Sequence, residues 1–319
     1  METRHLVTLL QAEAPVSLAG VQRFVEALLE EHVTPSTVGE IVLRVHGFLC
    51  HAETHLQQAA PRTIAALAAT SDDHQCVRDA LEKLLVSKVY HRVFGVSEGA
   101  RDEALHERLA GLSHLTPEGL GVGPPFGEAA VEGWGPPIEQ LRRLGKHRAP
   151  KDKVMLLVNA SRMIERRLNK IARLHAQLHA DRSPRHIGAD EYFPVLVYAV
   201  LQANPPQLLS TIAFISRFRN PEALRSLEGC YFTHFRAAVA FLETFEFEDH
   251  TAAEDVQRQL RDFTGRAEVH EGGEATVLTD AFALRAALDP LLAVRGTAET
   301  GIHVGETFPR SSAGQEHLF

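Results

Sequence analysis

Residues 188–206 read GADEYFPVLVYAVLQANPP, and this stretch decides the fold class. From Tyr192 to Leu201 the side chains are apolar on nearly every side of a helix, not along one stripe. A helix of that kind belongs at the centre of a helical protein. The run is the longest apolar one in the chain, yet it falls far short of the roughly 20 residues that cross a bilayer. Asn204-Pro205-Pro206 stops it, because a residue before proline avoids the helical conformation.

The flanking sequence repeats the helical period. Leu208, Leu209, Ile212, Ile215 and Phe218 make one stripe, ended by Asn220-Pro221, and Phe235, Ala238, Val239, Leu242 and Phe245 make the next. Upstream, a long helix opens near Pro150 and carries Val154, Leu157, Val158, Ile164, Leu168 and Ile171 on its apolar face. Val77, Leu81, Leu84, Leu85, Val89 and Tyr90 form a stripe, as do Val38, Ile41, Val42, Val45 and Phe48, and Val21, Phe24, Val25, Leu28 and Leu29. Gly119 to Pro137 is rich in Gly and Pro and reads as a long irregular connection. Beyond Asp249 the pattern weakens. Val256, Leu260 and Phe263 suggest a further helix, Ala275 to Thr279 the only strand, and Leu284 to Val294 a broken helix before a polar end expected to be disordered. The expected class is all-α, with a helical bundle over residues 1–72, a main domain over 73–248 and an extension over 249–319.

Composition narrows the function. A formal charge of -8 and a pI near 6.1 speak against nucleic acid, which requires a basic face. Three cysteines, Cys50, Cys76 and Cys230, give neither a disulfide framework nor a zinc motif, so a reducing, cytoplasmic setting is expected. Met1 to His5 carry no signal-peptide apolar region, and the last five residues offer no cysteine for a lipid. His51 and His55 have i, i+4 spacing, but Glu53 stands one place off the HExxH order, so no metal is expected. No phosphate loop, nucleophile elbow or dinucleotide fingerprint occurs, and no cofactor is expected. Arg142, Arg143, Lys146, His147, Arg148, Lys151 and Lys153 form the densest basic patch, read as a solvated loop and helix start with an acidic membrane as the lesser alternative.

Several ordered blocks carry a family resemblance. Gly188 to Pro194, Leu201 to Pro206, Ile215-Ser216-Arg217-Phe218, Tyr231-Phe232-Thr233 and Ala237 to Glu243 resemble the vacuolar-protein-sorting-nine domain. Upstream, Leu81 to Leu85, Val89-Tyr90, Leu115 to Glu118 and Ala149 to Lys153 are similar to the same family, so the likeness runs over about residues 75–245. The resemblance implies a layered helical domain preceded by a small bundle. It also implies activity as a guanine nucleotide exchange factor for an endosomal Rab GTPase of the Rab-five class, acting on vesicle transport at early endosomes without covalent chemistry.

The resemblance further implies a site. The family's catalytic aspartate, four residues before a proline, matches Asp190 with Pro194 after it. Such a carboxylate repels the nucleotide's phosphates and competes for the GTPase lysine and magnesium. Tyr192, Phe193, Pro194, Cys230, Tyr231 and Thr233 are the implied partner-binding residues, with Pro194 shaping the turn behind the acid and Glu191 a second acid able to substitute in part. Cys230 stands where the family usually has a tyrosine, and a thiol supplies neither ring nor phenol. Read from spacing alone, Asp190 is first of all a helix cap. The competing function is a Rab-binding adaptor in which Cys230 weakens exchange.

Overall fold

The computed structural model describes residues 15–59, 76–127, 133–178 and 187–244, with a few single positions besides. Among them are α1 (Pro15–Glu30), α2 (Val38–Ala59), α3 (Cys76–Val93), α4 (Gly99–Gly111), α5 (Gly135–Arg142), α6 (Pro150–Leu178), α7 (Ala189–Ala203), α8 (Leu208–Phe218) and α9 (Leu227–Thr244). No strand occurs among the described residues, and the all-α class expected from the sequence is the class observed. The strand expected at 275–279 and the helices expected near 256–263 and 284–294 lie outside the described residues.

Two apolar cores organise the helices. The larger is built by α4 to α7 and α9 with the ends of α8, and α7 runs through it with every residue from Tyr192 to Leu201 buried. The continuous apolar run therefore has the physical reason the sequence suggested: each side of the helix meets another helix. The smaller core joins α1, α2 and α3 to Phe214 and Phe218 of α8. Core membership thus does not divide at 72/73, because the stripe of Val77, Leu81, Leu85 and Val89 on α3 packs with the N-terminal helices.

Buried polar side chains tie the two cores together. Arg219, only 1% exposed, follows α8 and donates to Asp79 and Glu82 on α3 and to Glu228 on α9. Glu82 also accepts the Asn220 N–H at 2.8 Å, and Lys151 at the start of α6 donates to Asp79. Burial pushes the Glu82 carboxyl up to about 7, against the opposing pull of Arg219. On α4, Asp102 is buried against the first turn of α8, where its carboxylate accepts the Leu209 N–H at 2.7 Å and the Ser210 N–H at 3.2 Å. A carboxylate on the free N–H groups of a helix start is favourable both as a hydrogen bond and against the helix dipole.

Two expectations need correction. The irregular connection does not run to Pro137. Pro136 and Pro137 sit in the first turn of α5, where a fixed φ and a missing N–H suit a helix start. Nor is the basic patch one solvated surface. Lys151 is paired with Asp79, and Lys153 is fully buried, donating to the Leu144 carbonyl at 2.7 Å and lying over the rings of Tyr90 and Phe94. Burial lowers the Lys153 ammonium to about 8. Arg143, Lys146 and Arg148 are the exposed remainder of the unpaired patch.

Candidate functional site

The N-terminal turns of α7 and α9 meet above the middle of α6. Tyr192 on α7 lies edge-on to His234 on α9 with ring centroids 5.6 Å apart, and the Tyr231 hydroxyl donates to Glu165 of α6 at 2.8 Å. Both tyrosines, Glu165 and His234 are buried. This packing fixes where the first turn of α7 emerges.

That first turn carries adjacent acids in different states. Gly188 is the N-cap and has no side chain to offer, so the cap comes from within: its N–H donates to Glu191 Oε2 at 2.9 Å. This is the reciprocal half of a capping box. Asp190 is exposed, and no hydrogen bond or ion pair joins its carboxylate to another described residue. The acid that caps is Glu191, which leaves it ill placed for the substituting role expected of it. Asp190 stands free at a helix N-terminus, where the dipole favours its charge.

Pro194 lies in the second turn of α7, inside the helix, and does not shape a turn behind the acid. Having no N–H, it leaves the Asp190 carbonyl without its usual helical donor four residues on. The helix start around Asp190 is accordingly held by the Tyr192 N–H bond to the Gly188 carbonyl, 3.2 Å, and by packing.

The start of α9 is set by a close approach. A Cβ on Gly229 would lie 1.7 Å from the Leu224 carbonyl oxygen, so only glycine lets α9 pass the short 3-10 turn at Ala223–Arg225. One residue on, Cys230 is half-buried with its Sγ 3.4 Å from His234 Nε2. Burial pushes the Cys230 thiol up to about 11, with the Glu165 carboxylate adding to it, so the thiol stays protonated. Burial drives the His234 imidazole down to about 3, which keeps it neutral.

The expected catalytic and partner-binding residues therefore divide. Asp190 is exposed, and Cys230 and Thr233 are partly so. Tyr192, Phe193, Pro194 and Tyr231 are buried and face the core of α6, α7 and α9. Their large rings fill the space that holds the two helix starts together, which is the physical reason they are apolar. Glu165 and His234, which the sequence reading did not single out, form the polar floor beneath. A buried-stripe position on α6 occupied by an acid was the signal for Glu165; His234 left none. Among the described residues no group of three or more His, Cys, Asp or Glu side chains is gathered to hold a metal ion.

A layered all-helical domain built round one central helix buried on all sides is the class that the fold defines. Residues 134–247 match the family model described as Vacuolar sorting protein 9 (VPS9) domain. The chain carries a VPS9 domain. The stretch from about residue 75 to 133, which the sequence blocks also assigned to this domain, lies outside that match. Over 195 residues the chain is 30% identical to a vacuolar protein sorting-associated protein 9A of Oryza sativa subsp. japonica, covering 60% of this chain and 39% of that protein. Over 194 residues it is 30% identical to a Rab5 GDP/GTP exchange factor of Homo sapiens, covering 58% and 36%. It is 24% identical over 250 residues to vps901 of Schizosaccharomyces pombe, covering 74% and 41%. The chain spans well under half the length of these relatives.

Proposed function

We propose that the protein is a guanine nucleotide exchange factor for a Rab GTPase of the Rab5 class, and that Asp190 drives GDP release by entering the phosphate and magnesium site. The observation that carries this reading is the unpaired, exposed carboxylate of Asp190 beside a Glu191 already committed to capping. The likeness to a Rab5 GDP/GTP exchange factor supports the choice of partner.

No bond is made or broken in this mechanism. A GTPase holds its nucleotide by a phosphate loop, a lysine and magnesium. A carboxylate pushed among them repels the phosphates and competes for both cations. At 4 Å and an effective dielectric near 20, one unit-charge pair is worth about 4 kcal/mol. Since about 1.4 kcal/mol is tenfold, that single interaction accelerates release by roughly a thousandfold. The rigid floor of Tyr231, Glu165, Tyr192 and His234 keeps the acid from retreating, and Cys230 and Thr233 offer the flanking contact.

Release of a fluorescent GDP analogue from a panel of Rab GTPases tests the reading. Faster release from at least one Rab5-class member supports it, and unchanged release across the panel refutes it. One observation favours a second reading, a Rab-binding adaptor of weak activity: Cys230 turns its thiol toward His234 and supplies no ring to a partner. If that reading is right, wild type binds without exchange and Cys230→Tyr restores release.

A further inference from the structure

The C-terminal half of α6 has an outward face that the site does not use. Arg166, Lys170, Arg173, Leu174, Gln177 and Leu178 are all exposed. At 100° per residue they fall within an arc of about 140° along one side of the helix. Leu174 is 49% exposed and Leu178 82%, two of the large apolar side chains most open to water. Arg166 and Lys170 pair with no carboxylate among the described residues. The single acid on this half of the helix, Glu165, is buried on the opposite side and accepts from Tyr231.

The pattern runs against the composition of the chain, whose formal charge is -8. Arg166 and Lys170, unpaired by acids among the described residues and placed next to leucines held in water, match a surface that is anionic outside and apolar just beneath. A helix with basic residues on the water-facing side and Leu at its edge binds in the headgroup region of a bilayer. Each Lys or Arg near an anionic leaflet strengthens partitioning about fivefold. A purely ionic partner would give the leucines no role, and a purely apolar one would leave the cations unpaired. Leu178 lies 13 residues beyond Glu165, so the face extends about 20 Å past the floor of the candidate site.

We propose that the exposed face of α6 from Arg166 to Leu178 is a peripheral docking surface for an anionic lipid bilayer. It differs from the basic patch at Arg142 to Lys153, where Lys151 is held by Asp79 and Lys153 is buried inside the fold. It is also independent of the exchange reading, since none of its residues belongs to the site around Asp190.

Co-sedimentation of the full chain with phosphatidylcholine vesicles, with and without phosphatidylserine, tests it. Binding is expected only with the anionic lipid, and it falls as salt is raised. Arg166→Gln with Lys170→Gln should weaken that binding about 25-fold. Leu174→Gln with Leu178→Gln should also weaken it, while leaving its salt dependence. Both double variants alter exposed positions and should keep wild-type helicity and melting temperature. No sedimentation with anionic vesicles overturns the proposal, as does equal binding to neutral ones or indifference to both variants. If the charge variant instead slows nucleotide release from a soluble GTPase without vesicles, the face is a protein contact and the lipid assignment falls. If release is absent in every protein but vesicle binding follows the pattern above, the docking surface stands and the exchange reading alone fails.

Discussion

Glu82 and His234 are both buried titratable groups, and their effects on stability run in opposite directions with pH. Glu82 has its folded pKa raised to about 7 from 4.5, chiefly by burial. The fold therefore favours its protonated form. That contribution is complete below about pH 4.5 and is lost as pH rises through about 7. His234 has its folded pKa lowered to about 3 from 6.5, again by burial. The fold favours its neutral form, so the contribution is complete above about pH 6.5 and drains away as pH falls toward 3. Going from about pH 8 to about pH 5, Glu82 adds on the order of 2 kcal/mol and His234 removes a similar amount, at about 1.4 kcal/mol per pKa unit. Wild type hides both effects by cancellation. Glu82→Gln keeps an oxygen for the Asn220 N–H but loses the titration, so it should weaken relative to wild type by about 2 kcal/mol on acidification. His234→Gln should gain by a similar amount relative to wild type over the same range. Urea unfolding at both pH values measures this, and groups common to all three proteins cancel in the differences. If the three stability–pH curves are parallel, neither group is buried in the charge state argued here.

Two further outcomes follow from the first turns of α7 and α9. Glu191→Ala should cost about 1 kcal/mol of stability by removing the cap on Gly188, with nucleotide release changed less than twofold. A large loss of release with the fold intact would mean that Glu191, not Asp190, reaches the GTPase. Gly229→Ala should lower the melting temperature and cost roughly 1–3 kcal/mol or more, because its methyl meets the Leu224 carbonyl and α9 must shift. A melting temperature equal to wild type would show that the close approach is not required.

Much of the architecture was legible because α7 is apolar on all sides and the flanking helices carry clean stripes ended by proline turns. Its site was less so. Sequence placed two acids at one helix start, but whether Asp190 or Glu191 bends back to the Gly188 N–H depends on side-chain reach, and the longer glutamate takes it. The resemblance implied Tyr192 and Tyr231 as partner-binding residues; the structure buries the Tyr192 ring against His234 of α9 and gives the Tyr231 hydroxyl to Glu165 of α6, long-range facts that spacing does not encode. Asp102 was invisible for the same reason: it caps α8, more than 100 residues on. The helix that carries it, α4, was signalled only by Leu105 and Leu109, too short a stripe to stand out between Gly99 and Gly111. Lys153 shows the reverse error. Within a run of cations it reads as solvated, yet a carbonyl and two aromatic rings receive it inside the fold.

The most direct measurement compares GDP release from a Rab5-class GTPase with wild type and with Asp190→Ala at matched concentration. Because the carboxylate bonds to no other described residue, the variant should melt with wild type while its acceleration of release disappears. Wild-type acceleration by the alanine variant would contradict the account, since the charge at the head of α7 would then have no part in expelling the nucleotide.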